Sequence, residues 1–292
     1  MVRVHQGSPY KKKLFIFSNL MTKTITKIIY FSVFIFLKFL DFIFKKNFSY
    51  VFKDLEIENS YESIKIHKKK VFFFIPNTFT KYRLVNFFNK EPDTLNWIDN
   101  FKKKSIFFDI GANNGNYSIY AAVTHSSIKE IFAFEPSFLN TRILSRNISV
   151  NKLNKKIKII QLPLSNKKNK ILEMSESTFE EGGSFNSFGV KYDSHGIIHS
   201  RKNNYAILGT NLDYLINSKI LPIPNYIKID VDGIEHLILQ GAKKTIKNKR
   251  VESILIELYP NFKTQYNFCF KILKRNGFKL QSKYGYNHIF SR

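Results

Sequence analysis

The chain has 292 residues, of which 43% are apolar, so it can hold one large or two small domains with a packed core. Lysine and arginine total 47 against 22 aspartates and glutamates, which gives a formal net charge of +25. The basic residues form short clusters without zinc-finger or helix-turn-helix spacing. This argues against specific nucleic-acid binding and leaves biased composition, or affinity for an anionic membrane or glycan. The single cysteine, Cys269, excludes an internal disulfide framework and indicates a reducing, cytoplasmic setting.

An N-terminal hydrophobic and basic extension is predicted over residues 1–60. Residues 1–20 are expected to be unstructured, whereas 25–44 are almost entirely apolar. The charged side chains in and beside that segment share a narrow stripe of one helix: Lys27, Lys38, Asp41 and Lys45. Twenty helical residues reach ~30 Å, the thickness of bilayer hydrocarbon, but each charge inside it would cost a few kcal/mol. We favour a helix in the membrane interface, at the inner face, with packing on the rest of the chain or on a second copy as the alternative.

The next segment, 61–104, is predicted to lead into the main domain and to cover one side of its pocket. Short strands are expected at 63–66 and 71–75, the second ending before a proline. Residues 91–101 have a helix-start pattern with a proline early and apolar side chains on one face. Residues 77–83 could then lie over the pocket as a lid.

The remaining segment, 105–292, alternates between predicted strands and helices. The strands are expected at 105–109, 130–134, 156–161, 225–230 and 252–258. The helices are expected at 116–125, 138–150, 210–217, 234–247 and 263–275. Alternation of this kind predicts a parallel sheet with helices on both faces. Two further strands, at 278–281 and 287–290, predict a terminal hairpin with an antiparallel edge strand.

A long polar insertion, 175–204, follows the third strand of this domain. It contains four glycines and shows no strong periodicity. Long loops of this kind are often functional, so we predict a mobile loop that meets the substrate. A flexible surface loop without a function is the alternative.

A glycine turn follows the first of these strands. The apolar run 106–108 ends in Asp109, and a turn containing Gly111 and Gly115 leads into a helix. Strand, glycine turn and helix form the opening unit of a nucleotide-binding α/β fold. Asn113 stands where the dinucleotide pattern needs its second glycine, and the phosphate-binding P-loop pattern is absent as well. The turn therefore indicates a ligand other than a dinucleotide or nucleoside triphosphate.

Two acids at strand ends suggest which ligand this is. Asp109, beside a helix N-terminus, would repel phosphate but suits a cationic or polyhydroxyl ligand. Glu135 lies 26 positions later, close to the ~20-residue offset at which such folds place an acid on ribose hydroxyls. S-adenosylmethionine fits both, because it carries an amino group, a sulfonium and a ribose diol without a phosphate. In the alternative interpretation Asp109 caps the helix and Glu135 is a solvated strand-end acid.

Four predicted strands of the sheet close with an acid, and these acids should converge on one crevice: Asp109, Glu135, Asp230 and Glu257. Such a cluster requires a cationic ligand, a metal or bound hydroxyls. The run 230–235 could bind Mg²⁺ or Ca²⁺ through oxygen ligands, but it lacks the EF-hand pattern. A divalent metal is therefore an alternative that we do not favour, and no metal ligand is assigned.

Five motifs resemble the FkbM family of S-adenosylmethionine-dependent methyltransferases, which act mostly on hydroxyl oxygens of sugars and natural products. They are E-P-D-T-L-N-W-I-D-N-F (91–101), D-I-G-A-N-N-G-N-Y-S (109–118), F-E-P-S (134–137), L-x-x-N-x-x-x-N (144–151) and K-I-D-V-D-G-I-E (228–235). The resemblance covers about 76–258. It implies a class I, Rossmann-like methyltransferase fold: a mostly parallel seven-stranded sheet with an antiparallel C-terminal hairpin, here preceded by the N-terminal hydrophobic helix. Asp232 departs from the family, which usually has glutamate at that position.

The expected roles follow from these positions. Gly111, Asn113 and Gly115 would wrap the amino-acid end of the cofactor, which Asp109 would orient. Glu135 would bind the ribose diol, and Ser165, after the third strand, would lie at the adenine edge. An alcohol acceptor must also lose a proton, and the candidate bases follow the strand beside the cofactor strand: Asp230, Asp232, Glu235 and His236. For His236, a position on a helix face without a catalytic role is an equal alternative.

The resemblance implies an O-methyltransferase with a glycan or small-molecule hydroxyl as acceptor: a sugar, a polysaccharide or a lipid-linked glycan. An NAD-linked oxidoreductase is the alternative among enzymes, although the missing glycine and the terminal hairpin disfavour it. A membrane-associated scaffold without activity is the alternative of another class, and the intact acids and glycines disfavour it.

Overall fold

The computed structural model describes residues 9–198 and 203–292, with side chains from residue 21 onward. The chain divides into two compact units, one ending at Ser60 and the other running from Tyr61 to Arg292. The first unit holds α1 (Pro9–Phe44) and α2 (Phe48–Glu58). The prediction of an unstructured start is therefore wrong for 9–20, because Pro9 stands at the first helical position and no glycine or further proline interrupts the helix. Residues 1–8 lie outside the described part.

The first unit leaves much apolar surface uncovered. Ile35 and Phe42 on α1 are 67% and 82% exposed. The carboxylate of Asp41 accepts hydrogen bonds from the backbone N–H and the hydroxyl of Ser49, and it lies 3.5 Å from the Lys38 ammonium. These contacts join α1 to α2. Within the described residues, no helix combines the length and apolar character needed to cross a membrane.

The second unit opens with an antiparallel hairpin of β1 (Tyr61–Ile66) and β2 (Lys69–Phe74), followed by α3 (Thr78–Val85) and α4 (Pro92–Asp99). The expected strands and helix are present to within a few residues. α3 begins sharply because Asn77 and Thr80 form a reciprocal cap: the Asn77 side chain accepts from the Thr80 backbone N–H at 3.0 Å, and the Thr80 hydroxyl accepts from the Asn77 backbone N–H at 3.3 Å.

The remaining described strands, in chain order, are β3 (Ile106–Ile110), β4 (Glu130–Phe134), β5 (Ile157–Ile160), β6 (Lys170–Glu176), β7 (Ser187–Phe188), β8 (Asn203–Gly209), β9 (Tyr226–Ile229), β10 (Ser253–Glu257), β11 (Lys279–Tyr284) and β12 (Asn287–Ser291). Within the described chain, a seven-stranded sheet has the order β11-β12-β10-β9-β3-β4-β5. β12 is antiparallel to both of its neighbours, whereas the pairings among β10, β9, β3, β4 and β5 are parallel. The predicted sheet and C-terminal hairpin are confirmed; the reversed strand is second from the edge, and β11 forms the edge.

The helices that follow β3 are α5 (Asn116–Thr124), α6 (Phe138–Val150), α7 (Leu212–Asn217), α8 (Glu235–Gln240), α9 (Lys243–Lys247) and α10 (Lys263–Arg275). The single helix expected over 234–247 is wrong, since the chain breaks there into α8 and α9. The Asp213 carboxylate accepts from the backbone N–H groups of Lys244 and Thr245 at 2.9 and 2.8 Å and so starts a new helix. Gly241, at the break, lies so close to the Ser165 carbonyl oxygen that a Cβ would be 2.1 Å from it.

The polar insertion is more ordered than its composition suggests. Among the described residues, β6, β7 and β8 form a separate antiparallel sheet in which β6 and β8 pair along their whole length. The prediction of a loop over 175–204 is thus wrong at both ends, which belong to β6 and β8, while its mobility and its contact with the substrate stay predictions. Residues 199–202 lie outside the described part. Strand pairing supplies the order here, and it joins residues 27 to 39 positions apart.

The core lies on both faces of the seven-stranded sheet. Successive residues of β3 alternate between the faces, so Phe107 packs with Trp97 on one side and Phe108 packs with Phe132 on the other. All five residues of β3 are buried, as expected for a central parallel strand covered by helices on both faces. This placement fixes the end of β3, and the glycine turn after it, at the centre of the sheet edge.

Candidate active site

The glycine turn after β3 meets the end of β9 at very close range. Gly111 has φ +86°, and a Cβ there would lie 1.8 Å from the Asp230 carbonyl oxygen. Only glycine combines this conformation with this contact. The backbone N–H of Asp230 in turn donates to the Ile110 carbonyl at 3.0 Å. Two strand ends are thereby held side by side at the edge where ligands of such sheets bind.

Asp109 lies beneath this turn and is completely buried. Its Oδ2 accepts a hydrogen bond from the Ser118 hydroxyl at 2.7 Å, while Oδ1 has no hydrogen-bond partner among the described residues. Burial raises the pKa of this carboxyl, against the opposing charge of Lys228. A buried carboxylate oxygen without a partner is costly and is suited to a polar ligand group or ordered water.

Glu135, at the end of β4, is buried and holds the turn from the other side. Its Oε2 accepts from the Asn113 backbone N–H at 2.7 Å, and its Oε1 accepts from the Ser137 backbone N–H at 3.0 Å. Burial raises the pKa of Glu135 to about 7 despite these donors. Each carboxylate oxygen keeps a further lone pair for a ligand hydroxyl.

A small cavity of about 70 Å³, the inner chamber, lies beside Glu135. Its walls are mainly apolar and come from several strand ends and α8: Phe134, Leu162, Leu164, Phe188, Ile234 and Ile238. Ser165 is outside this cavity. Its backbone N–H donates to the Thr210 carbonyl and its hydroxyl accepts from the Lys167 backbone N–H, whereas the preceding residues, 162–164, line the cavity.

A larger cavity of about 620 Å³, the outer chamber, lies on the other side of the turn. Its wall includes residues of α3 and several aromatic side chains: Phe79, Tyr82, Arg83, Tyr117, Phe185 and Tyr259. The two chambers share part of their lining: Gly111, Asn113, Ser184, Asp230 and Asp232. A ligand that extends through both would pass between the glycine turn and the two aspartates.

Asp230 and Asp232 converge because β9 ends at Ile229 and the chain turns immediately afterwards. Asp232 has φ +61° and Gly233 φ +125°, both in the left-handed region. Aspartate tolerates this conformation better than longer side chains do, which offers a reason for aspartate at this position. The sequence had left open whether the two side chains would point to opposite faces.

Asp230 belongs to a buried charge cluster. The Lys228 ammonium, 1% exposed, donates to Asp230 Oδ2 at 2.7 Å. Burial opposes both charges, but their attraction outweighs it, which raises the pKa of Lys228 and lowers that of Asp230 to about 2. Burial and the neighbouring Asp230 raise the pKa of Glu257 far above its ordinary value, so it stays protonated and hydrogen-bonds Asp230. Asp230 is consequently a weak base.

Asp232 has the opposite character. Its Oδ2 accepts from the Phe185 backbone N–H at 2.6 Å. Burial and the charge of Asp230 raise the pKa of Asp232 to about 6, although Arg83 and the backbone donors of Phe185 and Asn186 oppose this. A carboxylate with a pKa this close to neutrality suits general-base catalysis.

The other two candidate bases lie outside both chambers. The Glu235 carboxylate accepts from the backbone N–H groups of Val231 and Gly233, both at 3.2 Å, and from the Gln265 side chain at 2.7 Å. It therefore holds the turn in shape. His236 packs near the rings of Tyr192 and Phe262, and burial lowers its pKa. Of the four candidates, the structure brings Asp230 and Asp232 into the site.

A loop covers the place where the chambers meet. The Asn140 side chain accepts from the Gly182 backbone N–H at 2.8 Å and donates to the Gly183 carbonyl at 3.1 Å. Asn113 donates to the same Gly183 carbonyl at 2.8 Å, and Arg83 Nε donates to the Gly182 carbonyl at 3.0 Å. The insertion is thus tied to the glycine turn, to α6 and to α3 at once.

The model of the methyltransferase FkbM domain matches residues 109–280 of the chain. This match covers more than half of the chain. The chain belongs to the FkbM methyltransferase family. It is a methyltransferase domain with a class I fold, as its sheet order and terminal hairpin show. Among curated proteins no match was found.

Solved methyltransferase structures are similar to this family member at low identity. The FkbM methyltransferase of Methylobacillus flagellatus KT shares 16% identity over 66% of this chain and 44% of its own, with a TM-score of 0.45. The precorrin-6y C5,15-methyltransferase of Geobacter metallireducens GS-15 shares 12% identity over 68% of this chain and 84% of its own, with a TM-score of 0.40. The B. subtilis tRNA methyltransferase TrmK shares 13% identity over 70% of this chain and 64% of its own, with a TM-score of 0.40. The chain spans less than half of the first of these proteins.

The family's fold implies S-adenosylmethionine, and the residues at the sheet edge fit it. The apolar inner chamber with Glu135 suits a nucleoside with a ribose diol. The carboxylates of Asp230 and Asp232 suit a cationic group, whereas Asp109 is buried beneath the turn and lines neither chamber. Among the described residues, no group of three or more histidine, cysteine or acidic side chains could hold a metal ion.

Sequence reasoning missed three residues that shape this site: Asn140, Phe185 and Lys228. Lys228 carried a usable signal, since a lysine inside the apolar strand 226–229 must be buried and therefore paired. Asn140 and Phe185 carried none, because their bonds to the loop and to Asp232 join segments more than 40 residues apart.

Proposed function

We propose that this FkbM family member transfers the methyl group of S-adenosylmethionine to a hydroxyl oxygen, with Asp232 as the general base. The observation that carries the proposal is the position of Asp232 in the lining shared by both chambers, with its pKa raised to about 6. When bound, S-adenosylmethionine supplies an electrophilic methyl group on a sulfonium. As the new oxygen–carbon bond forms and the carbon–sulfur bond breaks, the hydroxyl proton passes to Asp232.

The other residues bind and orient the methyl donor, and they exclude water from the site. Glu135 binds the ribose diol, and Asp230, kept ionised by Lys228, faces the cationic end of the donor. The loop at Gly182 and Gly183, tied down on three sides, excludes water from the place where the chambers meet. Alignment and water exclusion supply much of the rate in a displacement of this kind.

The acceptor that this site favours is a glycan: a sugar, a polysaccharide or a lipid-linked oligosaccharide. The outer chamber combines aromatic faces, from Phe79, Tyr82 and Tyr259, with hydrogen-bonding side chains such as Asn86. Aromatic faces can pack on a sugar ring while a few placed polar groups select its hydroxyls.

The test is transfer of a radiolabelled methyl group onto cell-envelope extract. We expect the label in a protease-resistant, glycosidase-sensitive fraction with the wild type. Asp232→Asn should lose transfer while binding S-adenosylhomocysteine normally by calorimetry, because it keeps shape and polarity but cannot take the proton. Label that is confined to protein, or full activity in Asp232→Asn, would disprove this assignment.

We further propose that the first unit binds an anionic membrane in the plane of the interface, as a peripheral anchor. This is supported by the exposed apolar side chains of α1, such as Phe36 at 59%, and by the basic charge of the chain. Phe36→Asp should weaken co-sedimentation with phosphatidylglycerol vesicles. Thr24→Asp adds the same charge on the same helix, but nearer the polar stripe, and should change co-sedimentation with the vesicles little. Equal effects of the two substitutions would contradict this orientation.

A further inference from the structure

The cationic side chains that line the outer chamber are Arg83, Lys90 and Lys228, and they differ in how they are neutralised. The Lys228 ammonium lies 2.7 Å from Asp230, and the Lys90 ammonium lies 3.0 Å from Glu91. The half-buried Arg83 has no carboxylate within ion-pair distance among the described residues. Its one hydrogen bond there runs from Nε to the Gly182 carbonyl at 3.0 Å. Its two terminal amino groups have no hydrogen-bond partner among the described residues and are available to a ligand in the chamber that Arg83 lines.

We propose that the acceptor carries an anionic group, a carboxylate or a phosphate, which Arg83 binds while the hydroxyl to be methylated lies at Asp232. This inference rests on the proposed function and names the chemical class of its substrate. The planar guanidinium fork presents parallel N–H donors that match the oxygens of both groups. Thr78 and Asn86 line the same wall and can add further donors.

The charge balance of the reaction supports this. Arg83 acts on Asp232 electrostatically, so it offsets the carboxylate charge while Asp232 is ionised. When Asp232 takes the acceptor proton it becomes neutral. The net charge of the site is unchanged, because the donor loses its sulfonium charge in the same step, but Arg83 then has no ionised Asp232 to offset it. An anionic group on the acceptor gives Arg83 a partner of opposite charge, and that group remains with the product.

The same contact makes Asp232 a better base once the acceptor is bound. The positive charge of Arg83 lowers the pKa of Asp232. An anion bound to Arg83 cancels that influence, so the pKa of Asp232 rises toward neutrality. The acceptor would thereby strengthen the base that deprotonates it, whereas a neutral sugar would not.

The experiment is calorimetry on the full chain saturated with S-adenosylhomocysteine, at constant ionic strength. The probes are methyl β-D-glucuronide, α-D-glucose 1-phosphate and methyl β-D-glucoside. We expect at least one anionic probe to bind about tenfold more tightly than the neutral glucoside, the value of a charge-assisted hydrogen bond. The better of the two anionic probes identifies the group as carboxylate or phosphate.

Two variants locate the effect. Arg83→Gln should reduce the preference for the anionic probe over the neutral glucoside to about twofold or less. A difference of that size is well under the contribution of one charge-assisted hydrogen bond. Lys81→Gln, on the same helix but paired with Glu62 outside the chamber, should keep it. Equal affinity of the wild type for all three probes, binding of none of them, or a preference that survives in Arg83→Gln would overturn the inference. Because S-adenosylhomocysteine binding is measured first, its absence would instead count against the proposed function.

Discussion

The Lys228 ammonium lies 2.7 Å from Asp230 Oδ2, on the strand beside the glycine turn, and it is almost completely buried. The pair connects the interior of the sheet to the reactive edge. It also fixes which of the two neighbouring aspartates can accept a proton. Asp230 is held ionised with its pKa at about 2, whereas that of Asp232 rises to about 6.

Lys228→Met should destabilise the fold strongly, because it leaves the Asp230 carboxylate without its partner in a buried setting. Loss of one partner of a buried pair costs roughly 3–5 kcal/mol. Urea unfolding of the wild type and the variant measures this loss of stability. The matched control is Lys102→Met, which breaks an exposed, solvent-screened pair with Glu252 and should change stability far less. Equal losses in the two variants would show that burial of the first pair is unimportant.

Methyl transfer should fall as the pH drops below about 6, since the pKa of Asp232 is raised to about 6 and the base must be ionised. The measurement is the initial rate on the glycan fraction between pH 5 and 8. Asp232→Asn should lower the rate by roughly 10²–10⁴ and remove this limb of the profile. An unchanged limb in the variant would assign it to another group, such as Glu135.

Glu235→Gln should make stability less dependent on pH. Burial raises the pKa of Glu235 from its ordinary 4.5 to about 7. The folded chain therefore binds a proton that the unfolded chain releases between pH 4.5 and 7, so this group lowers stability as the pH rises through that window. The variant should remove a loss of up to about 3 kcal/mol.

The measurement is urea unfolding at pH 5 and 7.5. Glu58→Gln, exposed on α2, should leave the difference unchanged. His236 and His288, whose pKa values burial lowers, act with the opposite sign, but they are present in every variant and cancel in the comparison. A pH dependence that is identical in wild type and Glu235→Gln would contradict the prediction.

Gly111→Ala should abolish cofactor binding as well as weaken the fold. The added Cβ would lie 1.8 Å from the Asp230 carbonyl oxygen and would push β9 away from the turn. Calorimetry with S-adenosylhomocysteine measures the loss, which we expect to exceed tenfold. Gly285→Ala is the matched control: it also has positive φ, but nothing lies within 4 Å of its Cβ, so only about 1 kcal/mol of backbone strain applies. Normal affinity in Gly111→Ala would place the cofactor elsewhere.

Residue patterns along the chain were enough to predict the strand–turn–helix unit at 106–124, the alternation that builds the sheet and the C-terminal hairpin. These features depend on local patterns: apolar runs of strand length, glycines at positions of positive φ, and helical periodicity. For the same reason the acids at strand ends could be placed at one edge, and Glu135, Asp230 and Glu257 do line the chambers there.

Which of those residues share the site depends instead on contacts that form in the folded chain. Asp232 enters it because the chain turns with positive φ directly after β9, whereas Glu235 and Ser165 turn away into backbone hydrogen bonds. The low pKa of Asp230 depends on Lys228, and the clamp on the insertion depends on Asn140, more than 40 residues away from it. Side-chain direction after a strand, burial and the distance between charges all depend on contacts between remote segments, which local residue patterns do not encode.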